Sequence, residues 1–432
     1  MLLSPVFAIR RLSARLHRLR VSLATRGWRG MWLRLRQKPL PAPPEVGVLQ
    51  STTMASSPAE RPIDPSRGHV LLIDASTPRP DHDSGSMRAV KLMALLLDTG
   101  YAVDFLPDDR RGPSRYTRDL VNLGVTVHFG AAVGSYPAWL ARNGARYDAV
   151  IVSRYHLAEA LFPLLRRLAP QAIKILDTVD LHHVREEREA SHRRDRRLAR
   201  LARGTRRREL RAISRSDATW VVSPAEVALL QEAGVGVPVH VVPNLHEVAG
   251  TIAPLPPRSG LLFVGGAAHP PNVDAVVWLV TTLFPAVRRQ RPDCRLHLVG
   301  DGLERVVAGL PDAGVITHGH VPDLAPLLDT CRIGLAPLRF GAGVKGKVNL
   351  CMAAGLPVVL TSCAAEGMHL VDGEDALLAD TDAAFVDHIV RLSHDDTLWW
   401  SLAHAGQDNV RRHFSLDAAR PALAASLGFP GA

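Results

Sequence analysis

No stretch of this 432-residue sequence approaches the ~20 consecutive apolar residues needed to cross a bilayer, so it offers no candidate for a spanning helix. A cleavable leader is equally unconvincing, because the apolar start Leu2–Ile9 is short and runs straight into arginine instead of a small-residue cleavage site. Cysteine is scarce: Cys294, Cys331, Cys351 and Cys363 all lie in the second half, without a CxxC pair or metal-ligand spacing. That pattern argues against a disulfide framework or a zinc module and fits reduced core thiols in a cytoplasmic protein. Acid is missing altogether from residues 1–44, which carry ten basic residues. The net charge of +10 therefore belongs to this segment, and the rest of the chain, close to neutral, does not read as a nucleic-acid-binding body.

Between those basic residues stand Leu12, Leu16, Leu19, Leu23, Trp28 and Trp32, giving residues 1–40 a basic amphipathic character suited to an anionic membrane surface. An RNA-binding arm and a featureless soluble extension are the competing readings. A Pro/Ser/Thr-rich stretch from Pro39 to about Arg67 reads as a linker, so residues 1–66 form a tail and linker ahead of the folded chain. From residue 68 short apolar runs of buried-strand type recur: 68–74, 101–107, 125–130, 147–153, 172–178, 218–223 and 239–244. After the Pro-rich stretch 253–260 a second series follows at 261–266, 295–300, 314–320, 332–338, 357–362 and 376–380. Near-continuous apolar strands alternating with helical segments imply parallel sheets covered on both faces. The expectation is an α/β chain of two doubly wound Rossmann-like domains facing a cleft, at 68–245 and 246–412, with a final helical segment at 413–432.

In such sheets ligands bind beyond the carboxyl ends of the strands. One stretch there, "GAGVKGKV" at 341–348, sets Lys345 and Lys347 where a helix should start. The partial positive charge of a helix N-terminus disfavours cations, while its free N–H groups, with Gly341 and Gly343 before them, suit a phosphate or diphosphate. The spacing is not a Walker A loop, which requires Ser or Thr after GxxxxGK. Two solvated lysines on a turn are the plainer reading. At the end of another strand, Asp177, Asp180, His182 and His183 could be a metal cluster or hydrogen-bonded structural groups. The loop "TPRPDHDSGSMR" places Ser84, Gly85 and Ser86 at a helix entrance with Arg88 in its first turn, serving either a ligand or the cap alone. Residues 185–215, arginines mixed with acids, read as one long helix laced by ion pairs, its face either solvated or turned to a membrane.

In order, "FVGGAAHPPNVDAVVWL" (263–279), "LVGDG" (298–302), "HGHVPDLAPLL" (318–328), "LAPLRFGAGVKGKVN" (335–349), "MAAGLPVVLTS" (352–362) and "AAEGM" (364–368) resemble the donor domain of the retaining GT-B glycosyltransferases of group 1. The similarity continues upstream in "ILDTVDLHHVREERE" (175–189) and "VVPNLHE" (241–247). The resemblance implies transfer of a sugar from a nucleotide-diphosphate sugar to a hydroxyl acceptor, with retention of configuration and no cofactor or metal. It implies that Lys345, Lys347, Gly341, Gly343, Gly265 and Gly266 meet the donor phosphates. His320, Val321, Glu366 and Gly367 would lie near nucleotide or sugar, and His182, then His183, with Asp180, near the transferred sugar. No catalytic base is nominated, since in this family the leaving phosphate itself is the usual proton acceptor. Two glutamates that the family usually carries eight positions apart are replaced here by Ala342 and Leu350, which leaves the ribose contact unassigned. The implied setting is a polysaccharide, glycolipid or other envelope glycan made at the inner face of the cytoplasmic membrane. A sugar-nucleotide epimerase or hydrolase, or an impaired relative that only binds, are the competing classes.

Overall fold

A computed structural model describes residues 3–36 and 68–428, apart from 249, 251, 256, 257 and 312, with side chains in the first segment from 5 to 25. The expected linker and the tryptophan side chains of the basic segment lie outside the described residues. The chain divides into two compact units, Met1–Arg79 with Arg88–Val242 and Arg420–Ala432, and Pro80–Met87 with Pro243–Ala419.

The first unit is built on a seven-stranded sheet of β1 (His69–Asp74), β2 (Ala102–Pro107), β3 (Thr126–Val127), β4 (Ala149–Ser153), β5 (Ile173–Asp177), β6 (Ala218–Val221) and β7 (Val239–Val241). Their order is β3-β2-β1-β4-β5-β6-β7, all parallel, with Val70 beside Val103 on one edge and Ala149 on the other. The second unit repeats the plan in six strands: β8 (Leu261–Val264), β9 (Leu296–Val299), β10 (Val315–Gly319), β11 (Ile333–Ala336), β12 (Val358–Leu360) and β13 (Leu377–Leu378), in the order β10-β9-β8-β11-β12-β13. Strands such as Ala149–Ser153 and Ile333–Ala336 are buried at every position, which is why they read as unbroken apolar runs. The one acid inside β2, Asp104, is tolerated because His69, His128 and Tyr147 bond its carboxylate at 2.9, 2.7 and 2.6 Å and Arg146 also reaches it. Burial would push this carboxyl up, but those hydrogen bonds hold it well below the usual range.

Residues Leu3–Arg36 form a single helix that belongs to the first unit. It packs on the helices Tyr155–Leu168 and Arg196–Ile213. Ala14, Val21 and Thr25 are buried against them, Arg11 pairs with Asp108 at 2.6 Å, His17 shares a 2.9 Å hydrogen bond with Thr205, and Arg18 donates to His156 at 2.8 Å. Part of the expected tail is thus a docked element of the fold.

Two local expectations are corrected. Residues 185–215 are not one helix but two, His182–His192 and Arg196–Ile213, broken where Arg194 takes a φ of +53° and Asp195 caps the second through the N–H groups of Arg197 and Leu198. Of the expected ion pairs, Arg193–Glu189 forms across one turn at 2.9 Å, while Glu186, Glu189 and Glu209 are themselves buried. The helix Ser84–Asp98 is capped by Asp83, whose carboxylate accepts from the N–H and hydroxyl of Ser86, each at 2.8 Å.

Candidate functional site

In the second unit the switch point of the sheet falls between β8 and β11, where the strand order reverses, and both strands deliver their following loops to that spot. After β11 the chain is pinned twice. Arg339 makes a bidentate pair with Asp274 at 2.8 and 2.6 Å, and the Thr361 hydroxyl donates to the Leu338 carbonyl at 2.5 Å. Between these pins and the helix Gly346–Ala353, Gly343 takes a φ of +68°, a left-handed turn that a side chain would resist. The helix then begins at Gly346 behind Lys345, with no side-chain cap on its first turn.

Both lysines are drawn in. Lys345 is buried, its ammonium donating back to the Gly343 carbonyl at 2.5 Å. Lys347 is half-buried, its Nζ 2.5 Å from Asn272 Oδ1 and 4.2 Å from the centroid of Phe263. Burial, with Lys345 adding to it, lowers the Lys347 ammonium to about 7. Asn272 in turn donates to the Gly266 carbonyl at 3.0 Å, which ties the lysine to the end of β8. Gly265 is required there, because a Cβ would stand 2.8 Å from Lys347 Nζ and 2.6 Å from the Asn272 amide. Gly300, at the end of β9, has no room for one either, at 2.6 Å from the Gly265 carbonyl. Asn349, in the same first turn, is fully buried with neither amide atom bonded. Among the described residues no carboxylate pairs with Lys347. A cation, a second cation and free helix-start N–H groups around a glycine-lined strand end are what a compact polyanion such as a diphosphate needs.

The loop Pro80–Met87 belongs to this unit, and the Cβ of Ser84 lies where a side chain on Gly346 would begin, 2.6 Å away. The same loop brings Asp81 and His82 to His320. The two imidazoles stack with centroids 4.1 Å apart and planes within 1°; His320 Nε2 lies 3.4 Å from Asp81, and His82 Nδ1 lies 3.1 Å from Asp301. Ligand atoms of Asp81, His82 and His320 fall within 4.8 Å of one another, a spacing that suits a divalent cation. Val321 follows His320 in the loop after β10. Glu366 and Gly367 follow the short helix Ser362–Ala365 beyond β12, with Gly367 left-handed at φ +72°. Ala342 and Leu350 are half-buried and offer no polar side chain.

In the first unit Asp180, His182 and His183 do come together, around a residue that sequence reasoning missed. Glu209, fully buried, accepts from the backbone N–H groups of His182 and His183 at 3.1 and 3.0 Å and holds His183 Nδ1 at 2.6 Å. Burial alone would raise this carboxyl, but the hydrogen bonds from His182 and His183 prevail and hold it at about 2. His183 is buried and committed to Glu209, whereas the His182 side chain is 14% exposed, with Nδ1 3.2 Å from the Asp180 carbonyl oxygen and Tyr155 and His156 edge-on to its ring. Asp180 pairs with Arg185. Arg88 is buried too, donating to Asp177 at 2.7 Å and to the Val242 carbonyl at 2.9 Å, so its guanidinium holds helix to sheet. Asn272 and Asn349 were also missed. For Asn272 the available signal was its place two residues into a helix opened by Pro270, facing a glycine pair.

Residues 258–395 match the family described as glycosyl transferases group 1. An uncharacterized 44.6 kDa protein in the cps region of Klebsiella pneumoniae is 29% identical over 142 residues, a match covering 31% of this chain and 37% of that relative. Among solved structures, Anabaena Alr3699/HepE in complex with UDP-glucose superposes with a TM-score of 0.65 at 13% identity, covering 83% of this chain and 99% of that one. Sucrose-phosphate synthase from Thermosynechococcus elongatus gives a TM-score of 0.61 at 15% identity over 83% and 98% of the two chains.

Proposed function

We propose that the protein transfers a sugar from a nucleotide-diphosphate donor to a hydroxyl of a glycan, a reading supported by the match of residues 258–395 to glycosyl transferases group 1 and by the GT-B fold. The observation that carries the proposal is Lys347, a partly desolvated ammonium at an uncapped helix start, tied by Asn272 to the glycine end of β8 and balanced by no carboxylate among the described residues. A diphosphate leaving group supplies the missing charge. In the transfer, the bond from the anomeric carbon to the phosphate oxygen breaks, a bond to the acceptor oxygen forms, and the acceptor proton passes to the leaving phosphate. Lys345, Lys347 and the N–H groups of the first turn stabilise the charge that develops on that phosphate. Retention of configuration and independence of metal belong to this reading through the family resemblance. The acceptor we assign is an envelope glycan, free or lipid-linked, at a membrane surface, which the cps-region relative supports.

The test is thermal stabilisation of the full chain across UDP-, GDP-, dTDP- and ADP-sugars, repeated with Lys347→Ala. A ligand that binds only the folded state raises the melting temperature by mass action. A rise with one nucleotide class, lost in the variant, supports the reading, and no rise at millimolar ligand overturns it. Transfer that survives a chelator supports independence of metal, while loss restored by a divalent cation turns attention to Asp81, His82 and His320.

A further inference from the structure

The N-terminal helix shows two opposite faces. Its docked side, through Arg11, Ala14, Arg18, Val21 and Thr25, follows a spacing of three and four residues and is held on the first unit. At about 100° per residue the opposite side carries Val6, Ile9, Leu12, Leu16 and Leu19. These are 53, 67, 58, 45 and 45% exposed, and they make up five of the seven exposed large apolar side chains among the described residues. An apolar stripe turned to solvent along one helix is not what a closed surface leaves behind.

The chemistry around the stripe identifies what covers it. The described part of the helix contains no acid, and Arg15 and Arg20 flank the stripe, both exposed. The helix beneath it, Arg196–Ile213, exposes Arg200, Arg203, Arg206, Arg207 and Arg211, while its single acid, Glu209, is buried. Apolar side chains lying between arginines, with no exposed acid on either helix, complement a surface that is anionic on top and hydrocarbon below. A second copy of this face would repel it by like charge, and a nucleic acid would leave the aliphatic stripe unused.

We propose that Val6, Ile9, Leu12, Leu16 and Leu19 insert into the headgroup and acyl boundary of an anionic lipid bilayer, with the arginines of both helices on its phosphates. The docked side reaches Asp108, just after β2, and His156, just after β4, so the membrane-facing helix lies at the carboxyl ends of the first sheet. If the sugar-transfer reading holds, a lipid-linked acceptor meets the protein at that end; the membrane contact itself does not depend on that reading.

Full-length protein is mixed with vesicles of phosphatidylcholine alone or with about one-third phosphatidylglycerol, and partition is measured by co-sedimentation without any donor. The expected result is binding to the anionic vesicles only, reduced about tenfold or more between 0.1 and 0.5 M salt. Replacing Ile9, Leu12 and Leu16 by Gln should reduce it by at least about tenfold at low salt while leaving far-UV circular dichroism unchanged. A second variant, Arg200, Arg203, Arg206 and Arg207 to Gln, should weaken binding and flatten the salt dependence, so that a folding failure in one variant does not decide the matter. Equal partition onto both vesicles, or none, overturns the proposal. So does concentration-dependent dimerisation abolished by the Gln triple variant, or RNA binding in place of vesicle binding.

Discussion

Glu209 in the first unit and Lys347 in the second are both ionisable groups set against the start of a helix that follows a parallel strand, and the chain treats them oppositely. Glu209 is an anion at the positive end of the helix His182–His192; two backbone N–H groups and two imidazoles converge on it, and it stays ionised down to about 2. Lys347 is a cation near the positive end of the helix Gly346–Ala353, with an amide oxygen and an aromatic face for company and another lysine nearby, and its pKa falls to about 7. The first arrangement is electrostatically complete and holds structure. The second costs the fold free energy, and under the proposed function a diphosphate of opposite charge would offset it.

The sharpest way to break this contrast is to remove each group. Glu209→Ala should lower unfolding free energy by about 3–5 kcal/mol, because it leaves helix-start donors and imidazoles unpaired in the interior; urea denaturation reads this directly. The sign with pH follows from its lowered pKa: the wild-type contribution is complete above the ordinary carboxyl value of about 4.5 and fades as pH falls toward 2, whereas the variant lacks that acid-sensitive component. Lys347→Ala should do the reverse, leaving stability unchanged or raised near neutral pH while weakening donor affinity by about 100-fold, as isothermal titration would show. A smaller effect separates the ammonium from its mere presence. Since Lys347 loses its proton above about 7 in the free protein and a diphosphate raises its pKa, donor binding should take up a proton at pH 8. Affinity should be flat below pH 7 and fall by up to about tenfold per unit above it, with the proton uptake visible as a buffer-dependent enthalpy. The smallest change expected is Asn272→Ala, which releases the Lys347 ammonium from its tether and should cost about fivefold in donor affinity with the nucleotide preference intact.

The placement of the proposed donor-side residues at strand ends was legible in the sequence because it is local. Gly265, Gly266, Gly343, Lys345 and Lys347 lie within a few residues of strand ends, and a strand end followed by glycine and a helix can be read from a single window. The partners were not legible. Asn272 lies 75 residues from Lys347, and Glu209 lies 26 from His183, separations across which no periodicity speaks. The break in the arginine-rich stretch 185–215, where Arg194 turns left-handed and Asp195 caps a second helix, and the burial of Glu186, Glu189 and Glu209 were not legible either, since composition does not show what packs against them.

Fold class, two series of parallel strands, the loops that must carry function and the basic, acid-free start were determined by the sequence alone, because each rests on the short-range pattern of apolar, glycine and charged residues. Only the tertiary structure decided which charges are inside. It buried Glu186, Glu189 and Glu209, turned Arg200, Arg203, Arg206, Arg207 and Arg211 outward and docked one face of the N-terminal helix while leaving the other to solvent. The physical reason is that the cost of a buried charge depends on what lies within a few ångströms of it, and those neighbours come from distant parts of the chain.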